Sequence, residues 1–141
     1  MSTQAETRAH RVTWRPWSPA QVLVAALGGF LTILAVLVLV RGGVGDWTAP
    51  RTAVWGFRHT PLMAAIEIGL GLLILSAAAN AMAAKTTLTA IGVFMAVFGI
   101  ITLIEPAAFA RVLGVNRQMG LLYTGFGVGG YLLGTASPVI R

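Results

Sequence analysis

The 141-residue chain has no cysteine and only two histidines, His10 and His59. The first absence excludes disulfides, thiolate metal sites and thiol nucleophiles within the chain. The second leaves no histidine set from which one chain alone builds a haem or metal site. Charge is also scarce. Asp and Glu together number 4, and charged residues make up 10% of the sequence, against about 25% in an ordinary soluble domain. Lys85 is the single lysine, so the formal charge of +6 is carried almost wholly by arginine. These arginines are scattered over a tail and loops without the stripe or motif of a nucleic-acid module. Attraction to anionic lipid headgroups accounts for them better. The expectation is therefore no cofactor, no metal and no nucleic-acid partner.

In place of charge there is apolar sequence, with 57% of residues hydrophobic. Four runs, Ala20–Val40, Leu62–Ala84, Leu88–Ile104 and Gly120–Val139, approach or reach the roughly 20 residues that cross a hydrocarbon core. Backbone polar groups in lipid must be satisfied within their own segment, which makes such runs helices. The expected fold class is all-α: an integral membrane four-helix bundle with a short interfacial segment between helices three and four. The expected organisation is a polar, partly disordered tail over residues 1–17, then a four-transmembrane-helix domain over 18–141. Its spans are placed at about 20–40, 61–84, 87–104 and 118–139. The lipid bilayer is thus the first partner.

Local signals mark the helix ends. Ser18-Pro19-Ala20-Gln21 reads as a capping box, with Ser18 at N-cap, Pro19 at N1 and Gln21 at N3. The run that follows is too long for the h-region of a cleaved signal peptide, and Arg41 follows it without a small-residue cleavage motif. It is therefore expected to stay as the first transmembrane helix. Thr60-Pro61 opens helix two by the same logic, and a turn around Lys85-Thr86-Thr87 is expected to join helices two and three as antiparallel neighbours. Glu105-Pro106 ends helix three, Ala107–Gly114 suits one or two interfacial turns, and Asn116 caps helix four. Trp14, Trp17, Trp47 and Trp55 are expected interface anchors, since tryptophan pairs an apolar ring with a polar N–H. The first loop, Arg41–His59, mixes Gly42, Gly43, Gly45 and Pro50 with aromatics and reads as an irregular segment on the membrane surface.

Four spans place both termini and Lys85 on one side. Arg8, Arg11, Arg15, Lys85 and Arg141 then oppose Arg41, Arg51, Arg58, Arg111 and Arg117, an even division. The three arginines ahead of helix one favour cytoplasmic termini in the cell membrane.

Glu67 is the most pointed residue. It lies about 9 Å past Pro61 along a helix rising 1.5 Å per residue, where a carboxylate is costly unless it faces the protein interior, paired or protonated. With Glu105, Tyr123 and His59 it forms the candidate intramembrane polar site. One reading is proton or cation handling, or a contact for a partner subunit or quinone headgroup. The other is an interhelical hydrogen bond to Glu67 from Tyr123 or Thr124. Glu105 suits the headgroup region. His59 is expected to be solvated or at headgroup level, two helical turns from Glu67 and too far for direct proton transfer. Asn80 is expected to reach water or a backbone carbonyl near the end of helix two.

Gly125 and Gly129, and again Gly130 and Gly134, are spaced G-x-x-x-G, which lets helix backbones approach closely. They are read as internal packing of helix four or as a docking face. The overlapping G-x-G-x-x-G at Gly125–Gly130 is no dinucleotide site, because no strand precedes it and no acid follows. An offset of 59 places Arg58, Leu62, Gly71 and Leu73 on Arg117, Leu121, Gly130 and Leu132, as two helix hairpins in parallel repeat would.

Arg58-His59-Thr60-Pro61-Leu62 leading into Gly69-Leu70-Gly71-Leu72-Leu73, and Asn116-Arg117-Gln118 leading into Gly125 through Gly134, carry a resemblance. In this pattern the chain resembles small four-helix membrane proteins of actinobacteria grouped as a domain of unknown function, over roughly Ala20 to Ser137. Members carry histidines within these helices, where this chain keeps only His59 at the start. The resemblance implies the four-helix membrane fold and no activity. The expected role is a structural or accessory subunit of a larger membrane assembly, such as a respiratory complex, with no catalysis of its own. Partners are then other membrane subunits or further copies. The alternative is a homo-oligomeric small channel or transporter using Glu67.

Overall fold

The computed structural model describes residues 17–49 and 52–138. Trp14 and most of the polar tail lie outside the described residues. The chain is mostly helical, in the order α1 (Pro19–Gly42), β1 (Thr52–Val54), β2 (Phe57–His59), α2 (Pro61–Ala77), α3 (Ala81–Ile104), α4 (Pro106–Ala110) and α5 (Arg117–Ala136). Two of these, α1 and α3, are 24 residues each and apolar enough to cross a membrane by length and composition.

The helix starts follow their local chemistry. Ser18 and Gln21 form the complete capping box ahead of α1, the Thr60 hydroxyl accepts from the Met63 N–H at α2, and the Asn116 side chain accepts from the Met119 N–H at α5. The turn expected at Lys85-Thr86-Thr87 lies elsewhere. Helix α2 stops at Ala77, and α3 begins at Ala81 with those three residues inside it. Asn80 is the reason: its side chain accepts from the N–H groups of Met82 and Ala83 and caps α3. The break is held from outside as well, because Gln21 Nε2 donates to the Ala78 carbonyl at 2.8 Å. The second helix is thereby limited to 17 residues.

The fold is also not purely helical. Part of the loop read as irregular is a small antiparallel hairpin, with Thr52 paired to His59, Ala53 to Arg58 and Val54 to Phe57. Its tight turn has positive φ at Trp55 (53°) and Gly56 (85°), the pattern of a two-residue turn whose twist matches the strands. Glycine adopts this freely, whereas tryptophan does so against its Cβ sterics. Nearby, the backbone N–H and hydroxyl of Thr48 both donate to Asp46, and these bonds hold its carboxyl below the ordinary pKa.

The closest pairings are α1 with α2 and α3 with α5, with α1 also lying against α3. The α3–α5 seam is a heptad. Leu88, Gly92, Met95, Gly99 and Thr102 are buried on α3, facing Gly120, Tyr123, Gly127, Gly130 and Gly134 on α5. Such alternate steps of three and four belong to left-handed helix pairs. Glycine at these positions brings the backbones together. A Cβ on Gly127 would stand 2.5 Å from Ala96 Cα, one on Gly99 2.8 Å from the Gly120 carbonyl, and one on Gly28 2.7 Å from the Gly71 carbonyl.

Polar contacts tie each end of the helices. At one end Lys85 Nζ donates to the Ser137 carbonyl at 2.9 Å, beside the Gln21–Ala78 bond. At the other, Thr60 Oγ1 donates to the Val112 carbonyl at 3.0 Å and Asn116 Nδ2 to the Gly56 carbonyl at 2.9 Å. The hairpin and the α4–α5 connection together cap that end.

Candidate functional site

Beneath this cap, three of the four candidate polar residues meet. His59 ends β2, where strand alternation turns it inward while Arg58 faces out. Pro61 starts α2 at once, so the chain reverses and the imidazole lies back along the first turns of the helix. Glu67 is on the buried face of α2, with Met63, Ala64, Gly71 and Ile74. Tyr123 comes from the α5 seam, where Phe98 packs edge-on against its ring with centroids 5.4 Å apart. Relative exposures are 0% for His59, 1% for Glu67 and 3% for Tyr123.

His59 Nε2 lies 3.1 Å from Glu67 Oε1 and 3.0 Å from Oε2, and the hydrogen-bond geometry selects Oε1. The Tyr123 hydroxyl donates to the same Oε1. The expectation that His59 is solvated and too far from Glu67 for direct proton transfer is therefore corrected. Distance along α2 was the wrong measure, because His59 precedes the helix and folds back beside it. The expected bond from Tyr123 is present, while Thr124 Oγ1 instead donates to the Gly120 carbonyl at 2.8 Å. Glu105 stands apart. It is exposed at the α3–α4 junction and makes no side-chain capping bond.

Chemically, the cluster is an imidazole, a carboxyl and a phenol around one shared oxygen. A proton between His59 and Glu67 can sit on either partner with no change in net charge, which suits a site sheltered from water. Two buried atoms among the described residues lack a hydrogen-bond partner, His59 Nδ1 and Glu67 Oε2. An apolar cavity of about 200 Å³ adjoins, with Glu67, Tyr123, Met63, Leu70, Phe94 and Phe98 in its wall. Among the described residues, no three His, Asp or Glu side chains come together to hold a metal.

The glycine expectation divides. Gly130 and Gly134 pack against α3, the latter placing a Cβ 2.9 Å from the Thr89 nitrogen, whereas a Cβ on Gly125 or Gly129 would meet nothing within 4 Å. Gly125 and Gly129 are thus not internal packing positions. They line a groove of about 410 Å³ between α1 and α5 with Leu23, Leu27, Phe30 and Phe126. The glycines that do bring helices together include Gly28, Gly71, Gly92, Gly99 and Gly127, which a search for G-x-x-x-G misses. On α3 and α5 the signal was a seven-residue spacing, in Gly92 and Gly99 and in Gly120, Gly127 and Gly134, whereas Gly28 and Gly71 have no glycine at that spacing.

Of the expected anchors, Trp17, Trp47 and Trp55 are exposed by 58%, 53% and 64%. Trp17 lies at one end of α1, and Trp47 and Trp55 lie in the cap at the other. No protein-family model matches the chain, and no curated protein or solved structure matches it.

Proposed function

We propose that the protein spans the cell membrane four times, through α1, α2, α3 and α5, and serves as a structural or accessory subunit of a larger membrane assembly. Embedding is supported by where the apolar surface faces. Only 33% of the most apolar stretch of α1 and 28% of that of α3 is buried within the protein, whereas the core helix of a soluble protein is mostly buried. Ile33, Val36, Phe94, Val97, Ile101 and Leu132 are among the large side chains left exposed, and soluble monomers rarely expose such contiguous surface. With 24 residues at about 1.5 Å each, α1 is about 36 Å long, and exposed tryptophans flank it at headgroup spacing. The arginines ahead of α1 favour cytoplasmic termini.

The observation that carries the accessory role is the open pair Gly125 and Gly129 on the floor of the α1–α5 groove. Glycine in a lipid-facing helix contributes no side-chain packing to its own fold, and it allows another helix to approach closely. The homo-oligomeric channel or transporter would require Glu67 on a surface shared between copies, and within one chain Glu67 is 1% exposed.

The test is to isolate tagged full-length protein from native membranes in a mild detergent and to quantify what accompanies it by mass spectrometry. The expected result is a stoichiometric partner subunit that Gly129→Leu displaces without loss of helical content. A lone homo-oligomer that conducts ions or solute would establish the channel instead. A monomer, or a partner indifferent to Gly129→Leu, would refute the groove as the docking face.

A further inference from the structure

A second surface groove, of about 510 Å³, lies along α3 and α5 and shares no lining residue with the α1–α5 groove. Lys85 stands in it beside Met82 and Thr86, and Thr89, Val93 and Thr135 continue it toward the middle of α3. From Lys85 to Val93 it runs about 12 Å at 1.5 Å per residue. Its threonines offer little to a polar ligand, because Thr89 Oγ1 donates to the Lys85 carbonyl and Thr135 Oγ1 to the Tyr131 carbonyl, each at 3.0 Å. Below Lys85 the groove is therefore an apolar track. Met82 and Val93 are exposed, so in a bilayer the track opens sideways to lipid.

Lys85 is half-buried, and its Nζ donates to the Ser137 carbonyl at 2.9 Å. That bond fixes the ammonium at the α3–α5 seam instead of leaving it to swing in water. An ammonium has three donors, and a neutral carbonyl leaves its charge uncompensated. Among the described residues the one ion pair is His59 with Glu67. The acids there are Asp46, Glu67 and Glu105, all in or beneath the cap at the other end. Glu105 stands about 30 Å from Lys85 along α3, beyond the reach of its charge in physiological salt. Exposed Trp17, just ahead of the Gln21 that ties α1 to Ala78, marks the Lys85 end as headgroup level. A fixed, unpaired cation at headgroup level above an apolar track complements a lipid with an anionic headgroup and an acyl chain.

Resting on the membrane-spanning reading above, we propose that this groove holds one anionic glycerophospholipid, with its phosphate on the Lys85 ammonium and an acyl chain along Thr89, Ala90 and Val93. Charge selects the headgroup. A zwitterionic lipid brings its own cation to its phosphate and gains less from Lys85. The amide dipoles at the start of α3 favour an anion in the same place. With cytoplasmic termini, Lys85 also faces the leaflet whose surface is the more negative.

The test uses delipidated full-length protein in a mild detergent, titrated with dioleoyl phosphatidylglycerol or dioleoyl phosphatidylcholine. Native mass spectrometry then counts the lipids retained per chain. The expected result is one tightly held phosphatidylglycerol, preferred over phosphatidylcholine by about fivefold, as one lysine at a membrane surface implies. Lys85→Gln should abolish that preference, and Lys85→Arg, which keeps the charge, should retain it. Arg117→Gln, at the cap end, should leave it unchanged. Ala90→Trp fills the exposed track and should weaken retention of both lipids. Equal retention of the two lipids by the unaltered protein, or a preference that survives Lys85→Gln, would overturn the role of Lys85. An equal loss with Arg117→Gln would mean diffuse attraction to net charge and no site, and retention indifferent to Ala90→Trp would overturn the location. Release of the protein from membrane vesicles by alkaline carbonate would instead refute the membrane-spanning reading, and the lipid site with it.

Discussion

Gly127→Ala tests the α3–α5 seam with the smallest possible change. The new methyl carbon would lie 2.5 Å from Ala96 Cα and 2.8 Å from Ala96 Cβ, where ordinary carbon contacts are about 3.5–4.0 Å. The obstacle is chiefly helix backbone, so no rotamer change relieves it and the helices must move apart by about 1 Å. Overpacking of this kind costs about 1–3 kcal/mol. A rigid obstacle places the cost near 3, and the better helix propensity of alanine returns about 1. The net expectation is a loss of about 2 kcal/mol. Gly129→Ala, two residues along the same helix, meets nothing within 4 Å and should be neutral or stabilising by up to about 1 kcal/mol. Both are read by circular dichroism during titration of micelles with SDS. Equal stability of the two variants would refute glycine-mediated contact as the basis of this seam.

Other expectations follow from the polar cluster, the helix break and the hairpin. Glu67→Leu leaves His59 buried without its partner and should cost about 3–5 kcal/mol, while the His59→Leu/Glu67→Leu double variant should recover part of that loss. Strictly additive losses in the same unfolding assay would mean that the two side chains do not interact. Asn80→Ala removes the side-chain acceptor at the start of α3 and should cost about 1 kcal/mol; an unchanged unfolding midpoint would argue against a capped break there. Trp55→Gly relieves a positive-φ strain of about 1–2 kcal/mol, so stability in detergent should not fall. In a variant whose only tryptophan is Trp55, lipids brominated near the headgroups should quench its fluorescence, and full quenching by an aqueous agent alone would refute anchoring.

Much of the fold was written in short stretches of sequence. Ser18 with Gln21, Thr60 with Pro61, and Asn116 each satisfy helix N–H groups a few residues away, so their effect needs nothing distant. Glu105-Pro106 likewise ends α3 and starts α4 locally. The α2–α3 break was hidden because Ala77-Ala78-Ala79 favours helix and no polar run interrupts it. Asn80 was a capping signal there, and the Gln21–Ala78 bond that supports the break joins residues far apart in the chain. The hairpin was obscured by glycine, proline and tryptophan, although Val54-Trp55-Gly56-Phe57 holds a two-residue turn between strand formers.

The site divides along the same line. Its cost was visible in the sequence, since one carboxylate inside an apolar run must find partners wherever the chain folds, and Tyr123 was among those named. His59 was misplaced because only the cap formed by β2 and the α4–α5 connection carries it beneath the surface and against Glu67. The glycines show the same division. Composition alone, with 17 glycines in the chain, determined that helices could approach closely, because a residue without a side chain lets two backbones meet. Which glycines face a neighbour and which stay open was decided by the rotation of α5 against α3, a property of two packed helices that neither carries alone.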